Sequence, residues 1–164
     1  MNRRLVLGAA CAAALLAAGC AGPAPGAKRA GSVEAWNGRL SLRIDSQPVQ
    51  TFAALFDLRG APDAGELVLT SPIGSTLAQL HWSPGEALLR NGSETRRYES
   101  VDALIEAATG AAIPVGALFA WLEGRDQRVE GWRPDLSQVG AGRLQATRES
   151  PEPRADLRIV FERA

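Results

Sequence analysis

Few side chains in this 164-residue chain have the chemistry of a nucleophile, a general base or a metal ligand. There are two cysteines, Cys11 and Cys20, and one histidine, His81. With a single histidine no multi-His metal site is possible, and an imidazole between Leu80 and Trp82 reads as a strand residue. Ser71 and Ser75 flank a conspicuous loop, yet neither opens a nucleophile elbow, which needs G-x-S-x-G on a strand-to-helix turn. The acidic residues are scattered, without a close pair in an apolar setting suited to proton transfer. The glycines fall in turns, at helix ends and in an N-terminal stretch, and not in a phosphate-binding loop. The pattern points away from an enzyme and calls for no metal or cofactor. One thiol is left with a chemistry of its own. Cys20 stands directly behind Leu16-Ala17-Ala18-Gly19, at the end of an uncharged apolar run.

Arg3 and Arg4 precede that run, which extends from Leu5 to Ala18. A basic start, a short apolar core and small residues before a cut make a secretory signal peptide over residues 1–19. The run is too short to cross a bilayer, which takes roughly 20 apolar residues. With a cysteine at the cut, the segment resembles the bacterial lipoprotein signal, although Ala17 occupies the place where Leu is commoner. That resemblance implies a diacylglyceryl group on the Cys20 thiol, removal of residues 1–19 and acylation of the new amine. Cys11 would leave with the signal and Cys20 would be consumed, so no thiol remains for a disulfide. Losing Arg3 and Arg4 from 18 basic residues leaves 16 against 18 acidic ones, a formal charge of −2. No basic footprint for nucleic acid results, and no polybasic stretch suggests attraction to anionic lipid. Residues 20–32 hold Pro23, Pro25 and several Ala and Gly, and read as a flexible tether. In lipoproteins of this kind an Asp after the cysteine commonly retains the protein at the inner membrane, so Ala21 fits passage to the outer one.

The elements that follow occupy 33–164, read as one domain. Leu40, Leu42 and Ile44 alternate with Arg39, Ser41 and Arg43, the period of a half-buried strand. Phe52, Ala54, Phe56 and Leu58 repeat the alternation, Leu67 and Leu69 mark a third strand, and Ala78, Leu80 and Trp82 a fourth. Asn91-Gly92 between two strand-like runs predicts a type I′ hairpin with both residues at its centre. Ser100 then caps a helix with Val101, Leu104, Ile105 and Ala108 on one face and Gly110 as its stop. Pro114 opens a second helix carrying Val115, Leu118, Phe119 and Leu122, ended by Gly124. Helices of about three turns are marginal alone and must lie against an apolar surface. Beyond them, Gly142–Glu149 and Ala155–Arg163 are joined by the turn Pro151-Glu152-Pro153, and Leu157, Ile159 and Phe161 restore the alternation. The sum is an α+β fold.

Four segments in order, Trp36-Asn37-Gly38-Arg39-Leu40, Leu69 through Thr76, Tyr98 through Gly110, and Ile113-Pro114-Val115 through Gly124, resemble the LolB family of outer-membrane lipoprotein receptors. The resemblance covers roughly residues 36–125. It implies a half-open antiparallel β-barrel covered by short helices and enclosing an apolar cavity for acyl chains. It implies a receptor on the periplasmic side of the outer membrane, lipid-anchored and expected to be a monomer. That receptor takes lipoprotein cargo from the periplasmic carrier LolA and inserts it into the inner leaflet of the outer membrane. The only lipids involved are the covalent one on Cys20 and the transient acyl chains of cargo.

The residues are compatible with that task. Burial stabilises an acyl chain by about 0.8 kcal/mol per CH₂, on the order of 10 kcal/mol for one long chain, so a carrier needs a continuous apolar lining. Leu40, Leu42, Ile44, Phe52 and Phe56 from the strands and Leu104, Ile105, Leu118, Phe119 and Leu122 from the helices could line such a cavity. Each could equally fill a core, because both environments select apolar inward side chains. Pro72-Ile73-Gly74 is the candidate membrane-insertion loop. A β-branched apolar residue has no local reason to occupy a turn tip, where polar residues or Gly prevail. The resemblance implies that Ile73 dips into the membrane; the alternative is that the loop folds back and plugs the barrel end. Arg96, Arg97, Arg125 and Arg128 could steer an acidic rim on the carrier or form a solvated face. Two functions of other kinds remain open: a structural or accessory envelope lipoprotein that binds a protein partner, which a filled barrel would favour, and an acyl-chain sensor that does not transfer.

Overall fold

Strict alternation makes the first strand. In the computed structural model, which describes residues 33–164, β1 spans Glu34–Ile44, with Trp36, Leu42 and Ile44 buried and Arg39, Ser41 and Arg43 exposed. β2 (Gln50–Gly60) pairs with it antiparallel and buries Ala54, Phe56 and Leu58 on the same side. β3 (Gly65–Thr70), β4 (Thr76–Ser83), β5 (Glu86–Asn91) and β6 (Glu94–Tyr98) follow as a meander of hairpins. After two helices the chain forms β7 (Trp132–Asp135), β8 (Arg143–Arg148) and β9 (Ala155–Arg163), and β9 pairs with β1. One antiparallel sheet results, in the order β6-β5-β4-β3-β2-β1-β9-β8-β7. It does not close, so β6 and β7 are its free edges and the α+β half-barrel of the sequence reading is what forms. Exposed Glu94, Arg96 and Arg97 on β6 and Pro134 in β7 discourage further strand addition at those edges.

α1 (Val101–Thr109) starts where Ser100 accepts a hydrogen bond from the backbone N–H of Ala103 at 3.1 Å, and ends at Gly110 with φ 85°. Replacing this cap, Ser100→Ala, is expected to cost about 1 kcal/mol, read from urea unfolding. α2 (Val115–Leu122) follows Pro114, which provides no side-chain cap. Asp102 of α1 compensates: its carboxylate accepts from the Val115 N–H at 3.1 Å. Leu104 and Ile105 form the buried stripe of α1, whereas α2 buries every residue except Gly116. A helix apolar on all sides belongs inside, and α2 lies within the hydrophobic cluster formed by the inner face of the sheet. Trp36 meets Phe119 edge-on at 5.4 Å between ring centroids, and Trp82 meets the same ring at 6.4 Å.

One local reading needs correction, and one strand has no counterpart in the sequence reading. The β5–β6 hairpin turns on Gly92-Ser93, with Asn91 already paired to Glu94. Gly92 has φ 58° and Ser93 lies outside the positive-φ region, the signature of a type II′ turn with Gly first. This register sets Tyr98 opposite Ala87. Centring the turn on Asn91-Gly92 would slide Arg96 to that place and leave Tyr98 beyond the strand. β7 was not anticipated, because four residues including a proline offer no alternation to read.

Candidate lipid-handling site

The ten residues proposed to line a cavity are brought together by the fold. Leu42, Ile44, Phe56, Leu104, Ile105, Leu118, Phe119 and Leu122 are buried, and Leu40 and Phe52 are half-buried and packed against the same cluster. Sheet and helices alternate to place them: the period-two residues of β1 and β2 face inward, and the apolar faces of α1 and α2 face them. The interior they define is occupied by side chains. Phe119 of α2 lies between the rings of Trp36 and Trp82, where an entering chain would compete with it. Clefts do occur elsewhere, one of about 230 Å³ beside Ile113, Pro114, Trp132 and Arg148, and one of about 210 Å³ beside Arg143, Ile159 and Val160. Neither is lined by any of the ten.

Polar groups in this interior are few. Trp82 donates its indole N–H to the Ala61 carbonyl at 3.0 Å, and Trp121 donates to the Gln127 carbonyl at 2.9 Å. The indole N–H of Trp36, equally buried, has no partner among the described residues. Trp121, whose position was ambiguous in sequence, is buried at the end of α2 and lies 6.2 Å from Trp132 of β7. Arg148 is a charged residue that sequence reasoning did not single out. It is buried on the inward side of β8, donates to the Pro153 carbonyl at 3.0 Å and lies over the Trp132 ring. The signal was its parity with Leu144 and Ala146, which any reader expecting an exposed arginine would overlook.

The loop between β3 and β4 holds itself in shape. Ser71 donates its N–H to the Ser75 carbonyl at 2.7 Å, Gly74 donates to the Ser71 carbonyl at 2.9 Å, and the Ser71 hydroxyl accepts from the Ser75 N–H at 3.0 Å. Gly74 takes φ 90°, which closes the turn without strain only in a residue lacking Cβ. Pro72, Ile73 and Gly74 are all exposed, and Ile73 is 90% exposed, the most of any large apolar side chain among the described residues. The loop therefore does not fold back onto the barrel. Of the four arginines considered for carrier docking, Arg96, Arg97 and Arg125 are engaged by Glu94, Glu86 and Glu123. Cys20, the signal and the tether lie outside the described residues.

A half-barrel sheet, two helices packed into it and a protruding apolar loop invite comparison with known proteins. The family profile described as "Outer membrane lipoprotein LolB" matches residues 35–158. This chain belongs to the LolB family. Among curated relatives, the outer-membrane lipoprotein LolB of Chromobacterium violaceum is 31% identical, over 76% of this chain and 69% of its own length. That of Ralstonia nicotianae is 36% identical, over 74% of this chain and 61% of its own. That of Bordetella petrii is 31% identical, over 58% and 59%. The chain thus spans about three fifths of the length of several LolB relatives that it matches. The matched stretch contains nearly all of β1, β2 through β8, the first part of β9, both helices and the Ile73 loop. The family expected from the four sequence segments is therefore the one found, and its name places the chain among outer-membrane lipoproteins.

Proposed function

We propose that this chain is a lipid-anchored receptor of the outer membrane that accepts lipoproteins from a LolA-like periplasmic carrier and inserts them into the inner leaflet. The single observation that carries the reading is Ile73, held out in water by a loop whose own backbone bonds fix it there. An isoleucine so placed gains by meeting a bilayer, and burial of one such side chain is worth about 1.5–3 kcal/mol. The apolar interior supplies the second half of the task. Acyl chains of cargo would enter against Leu42, Phe56, Leu104 and Phe119, taking contacts that α2 now makes with the sheet. Each CH₂ so buried contributes about 0.8 kcal/mol, enough over one chain to offset loosening of a short helix. Delivery then needs only a neighbouring bilayer in which the chain is equally stable, and Ile73 brings the barrel to it. Cys20, once acylated, would keep the domain beside that bilayer and raise its effective concentration there.

An Ile73→Glu variant tests this in two steps. Uptake of a labelled lipoprotein from the carrier should match wild type, and unfolding by urea should change by less than about 0.5 kcal/mol because the site is exposed. Delivery into liposomes should fall at least about tenfold, since burying a carboxylate in the interface costs more than the isoleucine gained. Unchanged delivery would refute the role of the loop. An accessory scaffold would take up no acyl chain in the first step, and a sensor would take it up and never release it.

A further inference from the structure

The outer face of the sheet carries a row that the proposed receptor function does not use. Across four strands the register aligns Leu55 of β2, Arg39 of β1, Val160 of β9 and Arg143 of β8. Arg158 stands in the next row, on the same face of β9. All five are exposed, and Leu55 and Val160 remain 43% and 42% exposed in spite of being large and apolar. The three guanidinium groups make no ion pair or side-chain hydrogen bond among the described residues. Arg43, Arg154 and Arg163 on or beside the same strands are paired with Asp45, Asp156 and Glu34.

This separation of cations is not a by-product of composition. Residues 33–164 retain 14 of the 18 basic residues, after Arg3, Arg4, Lys28 and Arg29 are set aside, against all 18 acidic ones, a formal charge of −4. Three arginines without a carboxylate between them therefore form a local positive field on an acidic domain. Asp57 and Glu162 bound it one row away, Asp156 stands one row beyond Arg158, and Asp135 lines the cleft at the β7 side with its carboxylate accepting from the Ser137 N–H at 3.0 Å. Beside Arg143, Arg158 and Val160 the outer surface sinks into a cleft of about 210 Å³, which Asp135, Gln138 and Gln145 also line. Guanidinium groups beside the exposed side chains of Val160 and Leu55 match a phosphate attached to hydrocarbon, since arginine binds phosphate by paired N–H donors and tolerates apolar surroundings.

The row also has a direction. Leu55 pairs on its other side with Thr70, the residue that leads into the Ser71–Ser75 loop. With strands about 4.8 Å apart, Arg39 lies roughly 10 Å from the strand that carries the loop. We propose that the Arg39–Arg143–Arg158 face, with Leu55 and Val160, is a docking surface for anionic phospholipid headgroups. It would seat the barrel flat enough for Ile73 to enter the same bilayer. The choice of a bilayer as occupant rests on the delivery function proposed above.

Flotation of the 33–164 domain, which contains the whole sheet and its hydrophobic cluster, tests the assignment with two kinds of vesicle. One is phosphatidylcholine alone and the other is phosphatidylcholine mixed with phosphatidylglycerol. The wild-type domain should prefer the anionic vesicles, and the preference should shrink as salt is raised, because exposed charges are screened within a Debye length. Reversing Arg39→Glu and Arg158→Glu together should reduce binding to anionic vesicles at least about tenfold and leave the weaker binding to neutral vesicles intact. Arg128→Glu, away from this face, should change neither. Equal binding of wild type to both vesicles, or a preference that survives the double reversal, overturns the proposal. So does a double variant that keeps its vesicle preference and loses uptake from the carrier, which would make the face a protein surface. Ile73→Glu separates the two inferences: binding that still prefers anionic vesicles and is indifferent to this substitution would count against the delivery loop and leave the arginine face standing.

Discussion

Trp36→Ala is expected to destabilise the domain by about 3–5 kcal/mol. Trp36 is 1% exposed, contacts the ring of Phe119 and carries Arg163 over its own ring at 5.6 Å. Its removal empties the place where β1 meets α2, and neither neighbour can collapse into it. The strand is tied on both sides by ladders to β2 and β9, and Phe119 is held on its other side by Trp82. Trp36→Phe should behave differently. The indole N–H is buried without a partner among the described residues, so losing it removes a desolvated donor and breaks no hydrogen bond seen there. The phenyl ring keeps the edge contact, and the cost should stay near 1 kcal/mol. Urea unfolding of both variants reads the difference directly. A Phe variant as unstable as the Ala variant would mean that the N–H is engaged after all.

The second large effect is expected at Gly131, just before β7. It takes φ 81°, and a Cβ built there would fall 1.8 Å from the Ser150 carbonyl oxygen. Gly131→Ala therefore meets two penalties at once. A non-glycine residue in the left-handed region costs about 1–3 kcal/mol, and the contact with backbone cannot be relieved by turning a side chain. The Gly131 carbonyl also accepts from the Glu149 N–H at 3.1 Å, so a shift to relieve the clash disturbs the ladder that holds β7 on β8. We expect a loss of at least about 2 kcal/mol and early hydrogen exchange at Trp132–Asp135. Gly140→Ala, where an added Cβ meets nothing within 4 Å and φ is not positive, is the matched control and should be close to neutral.

Much of this fold is legible in the chain because period-two alternation is a direct record of a sheet with one buried face. Leu40, Leu42 and Ile44 against Arg39, Ser41 and Arg43 need no context, and the same holds for Leu157, Ile159 and Phe161. The cap at Ser100 and the stop at Gly110 are equally local. What the sequence conceals is decided at a distance. Asn91-Gly92 is a sound hairpin signal, but the position of the turn within it is fixed by which residue faces Ala87 across two strands. β7 exists because β8 offers an edge, and a four-residue strand carrying Pro134 has no pattern of its own. The site divides in the same way. Ile73 stands out in sequence because an apolar residue breaks the rule for turn tips. Leu118 and Phe119 look alike whether they fill a core or line a cavity, because the two environments apply the same selection. Arg39, Arg143 and Arg158 lie more than 100 residues apart at the extremes, and only the pairing of β1 with β9 makes them neighbours.

The open order of the sheet has a mechanical meaning. In a closed barrel the circumference is set by a continuous ring of hydrogen bonds, and admitting a bulky guest means breaking a ladder or stretching all of them. Here the ring is interrupted between β6 and β7, so the wall behaves as a hinged leaf with a free margin at each end. It can spread by small changes of twist at every strand pair while all eight ladders stay intact. In the receptor function proposed above, the work of making room would fall on the packing around Phe119 and would scale with the length of chain admitted. A container built this way would have no fixed capacity: it would be as large as its guest could hold it open.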